Sequence, residues 1–146
     1  MSQGNRAVVL LVEDDPDHAE LVSRALAEDG DRVRLVHLAN GDSALQYLER
    51  VGAWADPDLS PRPDLILLDL RLPGLGGGEV LSRIRAVPSL CEIPVVILST
   101  SRTREELAVA AGGGADACAV KPMDGQNFRE LVRDLVWSWT SVDRRA

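Results

Sequence analysis

Cysteine is scarce in this chain: Cys91 and Cys118 are the only two among 146 residues. Two are too few for a disulfide framework, and neither has neighbours spaced as in a metal cluster, so a reducing cytoplasm is the expected compartment. Long apolar runs are also missing. The first, Ala7 to Val12, stops after six residues at Glu13, far short of a signal-peptide core or a membrane span. Positive charge is in deficit, with 16 Lys and Arg against 23 Asp and Glu and a net charge of -7. That balance disfavours nucleic acid, whose recognition is dominated by cationic contacts, and leaves another protein as the expected partner. There is no internal repeat, and only seven residues follow Trp139, too few for an effector module. The two histidines, His18 and His37, have no sequence neighbour that would make either a ligand or a base, and read as packing or surface residues.

What is present is enough for one ordinary domain with a real core, at 45% hydrophobic residues. The organising stretch is Pro63-Asp64-Leu65-Ile66-Leu67-Leu68-Asp69-Leu70-Arg71-Leu72-Pro73-Gly74. Its aliphatic run lacks alternation, which suits a central strand of a parallel sheet covered on both faces, and it delivers Asp69 to the strand's carboxyl end. Ligands bind along that edge in open α/β sheets. Ala7–Val12 reads as a second buried strand. Asp15 as N-cap and Pro16 at the first helical position then open a helix with His18, Leu21, Val22, Ala25 and Leu26 on one face and Gly30 at its end. Arg32 to Leu38 alternates as an edge strand. Asn40-Gly41-Asp42 caps a short helix through Ala44, Leu45 and Leu48. Val51 to Pro63 has no clean period and is expected as an extended connection with Trp54 tucked against the body.

Beyond Asp69, Gly74 to Gly78 is expected to be mobile, followed by a helix marked by Val80, Leu81 and Ile84. Ile93 to Thr100 reads as a buried strand ending in hydroxyls. Thr103-Arg104-Glu105-Glu106 spells a capping box for an Ala-rich helix. Ala117–Val120 is a short strand before Lys121-Pro122. Asp124 caps a last helix with Phe128, Leu131, Val132, Leu135 and Trp139 at helical spacing. Strands and helices alternating five times predict an α/β fold with a five-stranded parallel sheet and right-handed crossovers. The expected organisation is a leader at 1–6, one domain at 7–139 and a tail at 140–146 with no output domain.

Four of the five strands end in polar groups: Glu13-Asp14, Asp69, Ser99 and Lys121. If the strands ending at Val12 and Asp69 are neighbours, three carboxylates crowd together, which is costly unless a cation neutralises them. Oxygen-only ligands around an open site suit Mg²⁺. Lys121 adds a positive point charge for an anion and Ser99 a hydroxyl donor. A carboxylate, a hard metal, an ammonium and a hydroxyl around one vacancy describe phosphoryl transfer. Singly, each residue also fits a duller role, as a helix start, a loop cap or a surface turn.

As a set, Glu13-Asp14, Asp69 within Leu-Leu-Asp-Leu-Arg-Leu-Pro-Gly, Ser99-Thr100 after Pro-Val-Val-Ile-Leu, and Lys121-Pro122 closely resemble the receiver domain of two-component response regulators, over about Ala7 to Trp139. The resemblance implies a flavodoxin-like (βα)5 three-layer sandwich of strand order 2-1-3-4-5. It implies that Asp69 accepts a phosphoryl group from a sensor histidine kinase. Glu13, Asp14, Asp69 and the Arg71 backbone carbonyl would hold Mg²⁺, with Glu13 in a position more often Asp acting through a metal-bound water. Ser99 and Lys121 would bind the phosphoryl oxygens, and Thr100 would regulate access. Such a protein is a phosphoacceptor catalysing its own phosphorylation and dephosphorylation, not an enzyme acting on outside substrates. The long Val51–Pro63 connection, the Gly-Gly-Glu-Val-Leu helix start and the late tryptophans further resemble single-domain regulators serving bacterial phytochrome kinases. Those often form homodimers through the last two helices and last strand, where Trp137, Trp139 and Val136 would supply apolar surface. One departure is Cys118, where receivers commonly place Tyr or Phe: a small thiol cannot report the switch by the same ring movement.

Other readings are a phosphate sink or relay intermediate without its own output, and an Asp-nucleophile phosphatase, which usually wants a second acid two residues on, where this chain has Arg71. Two glycine patterns, from Gly74 and from Gly112, lack the strand-then-helix context of a nucleotide loop.

Overall fold

Aliphatic runs without alternation become strands covered on both faces: β3 (Leu65–Asp69) and β4 (Val95–Ser99) are buried at every position. They lie in a computed structural model that describes residues 6–28, 30–100 and 112–140. With β1 (Ala7–Val12), β2 (Val33–Leu38) and β5 (Ala117–Val120) they form one fully parallel sheet of order β2-β1-β3-β4-β5. This is the expected flavodoxin-like order. The chain winds outward from β1 to β2, returns to β3 and then proceeds the other way, so the strand order reverses between β1 and β3.

Side-chain alternation sorts the apolar residues into two cores. Leu10, Val12, Ile66, Leu68, Val95 and Ile97 face α2 (Gly41–Glu49) and α3 (Gly77–Ala86), where Leu45, Leu48, Leu81 and Ile84 meet them. Val9, Leu11, Leu65, Leu67, Val96 and Leu98 face the opposite layer, formed by Val22 and Leu26 of α1 (Pro16–Ala27) and Phe128, Val132 and Val136 of α4 (Gly125–Thr140). Asp15 caps α1 by accepting from the Asp17 amide at 2.8 Å, and Asn40 caps α2 by accepting from the Ser43 amide at 2.8 Å.

Several boundaries differ from expectation. β4 begins at Val95, because Ile93 is spent in the turn that Pro94 closes, and it ends at Ser99, leaving Thr100 outside the strand. α1 gives way at Glu28, before Gly30. The Val51–Pro63 connection is a fastened loop. It contains a 3-10 turn at Gly52–Trp54, and Ser60, fully buried, donates to the Trp54 and Asp56 carbonyls at 2.9 and 3.0 Å. Tyr47 donates to the Pro61 carbonyl at 2.6 Å, and its ring meets Trp54 edge-on at 5.1 Å. Trp54 is thus tucked in, as expected. The helix expected from Thr103 lies outside the described residues, as do residues 1–5 of the leader and 141–146 of the tail.

Two contacts fix the sheet's ends. Arg85, near the end of α3, donates to the carbonyls of Gly114, Cys91 and Ile93 at 2.9, 2.9 and 2.8 Å and to Asp116 at 2.8 Å. The same Asp116 oxygen accepts from the Val95 amide, so one guanidinium ties α3 to the entrances of β4 and β5. At the other end, Gly77 opens α3 directly against the backbone leaving β3. Its amide donates to the Leu70 carbonyl at 3.1 Å, and a Cβ there would overlap the Asp69 carbonyl oxygen and the Leu70 backbone. Of the Gly74–Gly78 stretch expected to be mobile, Gly77 is buried in this contact.

Gly77→Ala should therefore cost about 1–3 kcal/mol in urea denaturation, because backbone cannot yield as a side chain does. Gly76→Ala and Gly78→Ala, whose Cβ atoms would meet nothing within 4 Å, should shift stability by no more than about 0.5 kcal/mol. Equal losses at all three positions would contradict the close approach.

Candidate functional site

Parallel pairing brings the strand ends to one edge. Val12 lies beside Leu68, so Glu13, the next residue, comes level with Asp69; Asp69 lies beside Leu98, and Ser99 beside Val120, with Lys121 following. Glu13, Asp14, Asp69, Ser99 and Lys121 therefore share the carboxyl edge of the sheet, as the sequence predicts. Four of them are buried: Glu13 is 2% exposed, Asp69 8%, Ser99 0% and Lys121 4%. Asp14 and Thr100 are exposed.

Buried charges must be paired and hydrogen-bonded, and these are. The Lys121 ammonium donates to Glu13 Oε1 at 2.5 Å and to Asp69 Oδ2 at 3.2 Å. The second oxygen of each acid takes a backbone donor: Glu13 Oε2 accepts from the Asp15 amide at 3.1 Å, and Asp69 Oδ1 accepts from the Arg71 amide at 3.0 Å. The Lys121 amide in turn donates to the Ser99 carbonyl at 2.8 Å, tying the end of β5 to the end of β4. Burial pushes the Glu13 carboxyl up to about 7; neighbouring Asp69 adds to the rise, and Lys121 opposes it.

Glu13, Asp14 and Asp69 each present a carboxylate oxygen, all within 4.8 Å of one another. This hard, oxygen-only set on a partly open edge fits a divalent cation of the Mg²⁺ type, which keeps several waters and needs few protein ligands. The elevated Glu13 carboxyl reflects its burial first, with the neighbouring Asp69 carboxylate adding to the rise. A cavity of about 470 Å³ lies beside the cluster, lined by His18, Leu21, Thr100, Lys121, Pro122, Met123 and Phe128. Thr100 is thus at the mouth of the space that Lys121 reaches.

Both histidines have roles that spacing did not reveal. His18 Nδ1 lies 3.0 Å from Lys121 Nζ, and the ring stands edge-on to Phe128 with centroids 5.8 Å apart. His37 Nε2 is 2.7 Å from the Glu13 carbonyl oxygen and, as an N–H, donates to it. A sequence signal existed for His18: it sits three residues after the Asp15 cap, one turn from the acids.

Cys118 is half-buried among the residues facing α2 and α3, and burial raises its thiol pKa, which makes it a packed residue and a poor nucleophile. The expected apolar surface on the last helix needs correction. Val136 is wholly buried in the core, because Phe128, Val132 and Val136 form the inward stripe at four-residue spacing. Trp139 packs against that core, while Trp137 lies under Arg133, whose guanidinium carbon is 4.5 Å from the ring centroid.

Comparison with known proteins agrees with this geometry. Residues 9–133 match the response regulator receiver domain. The chain is 41% identical over 132 residues to response regulator Rcp1 of Synechocystis sp., covering 90% of this chain and 88% of that protein. The Mn²⁺-bound structure of Rcp1 superposes with a TM-score of 0.84 at 32% identity, covering 94% of this chain and 96% of the other. The phosphorylated cyanobacterial phytochrome response regulator RcpA superposes with a TM-score of 0.87 at 32% identity, covering 94% and 97%. The bacteriophytochrome response regulator RtBRR gives 0.73 at 35% identity, covering 89% and 78%.

The Glu13 shift sets a pH dependence. The folded carboxyl holds its proton up to about 7 and the unfolded one releases it near 4.5. Between those values the folded state binds more protons, so stability of the metal-free protein falls as pH rises through the window. Subtracting the Glu13→Gln melting profile from the wild-type profile should isolate that fall; a flat difference from pH 4.5 to 7 would refute the shift.

Proposed function

This chain belongs to the response regulator receiver family, and on that premise we propose that Asp69 accepts a phosphoryl group from the phosphohistidine of a sensor histidine kinase. The observation that carries the reading is the pairing of a buried Asp69 with the Lys121 ammonium at the open edge of the sheet, beside two further acids. An Asp69 oxygen attacks phosphorus in line, the P–N bond breaks, and the imidazole departs with a proton from solvent. Lys121 turns from carboxylate to phosphoryl oxygens and offsets their charge, with Ser99 supplying a hydroxyl on the neighbouring strand. Glu13, Asp14, Asp69 and the Arg71 carbonyl would hold Mg²⁺, which when bound supplies Lewis-acid neutralisation of the same oxygens. The Arg71 amide on Asp69 Oδ1 orients the acceptor carboxylate. Thr100, exposed at the cavity mouth, governs water's approach to the acyl phosphate.

The phosphoryl group adds about two negative charges, enough to bias an equilibrium separated by a few kcal/mol. With Cys118 in place of a ring, the change passes through loop movement or altered dimerisation. The likeness to RcpA and RtBRR supports a bacteriophytochrome as the kinase, acting in the cytoplasm, with protein–protein contact as the output. A homodimer through the last two helices and β5 belongs to the same reading. Of the three residues expected to line it, Trp137 is the one stacked under an arginine on the outer side of α4. Among the described residues, no helix is long and apolar enough to cross a membrane.

Incubation with acetyl phosphate and Mg²⁺ should add one phosphoryl group by intact mass, and Asp69→Asn should add none; equal labelling of the two would sink the assignment. Lys121→Ala should slow labelling by roughly a hundredfold, the scale for removing one oxyanion donor, and unchanged kinetics would remove Lys121 from the transfer. Sedimentation of the wild type with and without beryllofluoride tests the dimer, which a monomer under both conditions would rule out.

A further inference from the structure

An ammonium has three N–H bonds, and Lys121 has three acceptors. Two are the acids, Glu13 Oε1 at 2.5 Å and Asp69 Oδ2 at 3.2 Å; the third is His18 Nδ1 at 3.0 Å. An ammonium carries no lone pair, so in this contact the imidazole nitrogen accepts and the ring proton sits on Nε2; the carboxylate oxygens of Glu13 and Asp15 lie farther from Nδ1, at 3.8 and 3.7 Å. The ring is held for this purpose: it projects from the first turn of α1 and stands at 86° to Phe128, itself buried.

We propose that His18 is a positioning residue for phosphoryl transfer, anchoring one proton of the Lys121 ammonium so that the other two stay aimed at the reacting oxygens. This rests on the assignment of Asp69 as phosphoacceptor. A lysine stem is flexible and its three donors rotate freely, and two acids alone draw the ammonium down among the carboxylates. An imidazole nitrogen on α1 gives it a fixed third vertex without adding another carboxylate to the cluster. When the Asp69 oxygen becomes phosphorylated, one donor transfers to a phosphoryl oxygen and the bond to His18 persists, so the ammonium pivots instead of departing. Replacing the acceptor with a hydrocarbon leaves a buried N–H unmatched and lets the ammonium settle elsewhere.

Composition makes the test direct, since Lys121 is the only lysine in the chain and His18 one of two histidines. Protein labelled with ¹⁵N-lysine carries one side-chain ammonium resonance, and ¹⁵N-histidine reports the ring tautomer. The wild type should show a slowly exchanging ammonium signal and an unprotonated Nδ1 at His18. His18→Leu should broaden or shift the ammonium signal and lower the maximal rate of labelling by acetyl phosphate by roughly ten- to a hundredfold, the upper figure being the scale for a catalytic group displaced by about 1 Å, with half-saturation unchanged. His18→Gln, whose amide oxygen accepts, should recover most of the rate and the signal. A wild-type rate and signal in His18→Leu overturns the proposal, as does equal slowing in both variants, which would mark His18 as packing alone. Asp69→Asn, run alongside, separates the two claims: labelling of that variant removes the phosphoacceptor reading, whereas labelling confined to Asp69 with His18→Leu unaffected removes only the role of His18.

Discussion

Holding the Lys121 ammonium at 4% exposure between Glu13 and Asp69 demands much from the fold, because such charges must be compensated within hydrogen-bonding distance or not buried at all. β5 and β3 are separated by β4, two strand spacings or roughly 9–10 Å, a gap that the Lys121 stem and the Asp69 side chain close between them. A long stem at the end of β5 can do this only if the end of β4 does not block it. Ser99, small and wholly buried, is what stands there, and its carbonyl also fixes the Lys121 backbone. The parallel order with β1 and β3 adjacent follows from the same demand, since any other neighbour for β1 would separate Glu13 from Asp69.

The remainder of the structure restricts how this edge can move. On the α2 and α3 side, Gly77 abuts the backbone beyond Asp69, and the Arg85 guanidinium ties the far end of α3 to the starts of β4 and β5. On the other side, the cap of α1 and the acids are one continuous segment: Asp15 both donates its amide to Glu13 and starts the helix that carries His18. The Asp69 carboxylate is therefore gripped by elements from both layers, a preorganised arrangement in which little of the edge is free to reorganise.

Much of this was legible from residue order. Ala7–Val12 and Ala117–Val120 coincide with strands because each apolar run is bounded by a charged residue at both ends, and the edge residues fall where parallel strands must end. Strand order came from resemblance, since periodicity carries no information about lateral neighbours. His18 reads as a packing or surface residue because it shares a helical face with Leu21 and Val22, and a stripe cannot distinguish such a residue from one that overhangs the adjoining strand ends. Val136 was misplaced for a related reason. The α4 pattern admits two stripes a residue apart, and contact with the sheet selects Phe128, Val132 and Val136. Ser60 left no trace at all, as its burial depends on the path of an irregular loop.

The lone lysine has a chemical corollary. Every other cationic side chain, histidines aside, is arginine, whose guanidinium keeps its proton and has no nucleophilic pair to offer. Small acyl phosphates bear two electrophilic centres, a carbonyl carbon and a phosphorus. On this surface the carbonyl finds no side-chain amine, and the single one in the sequence is protonated and bonded three ways in the interior. For such a reagent the lysine side chain is closed to acylation, a protection set jointly by composition and by burial.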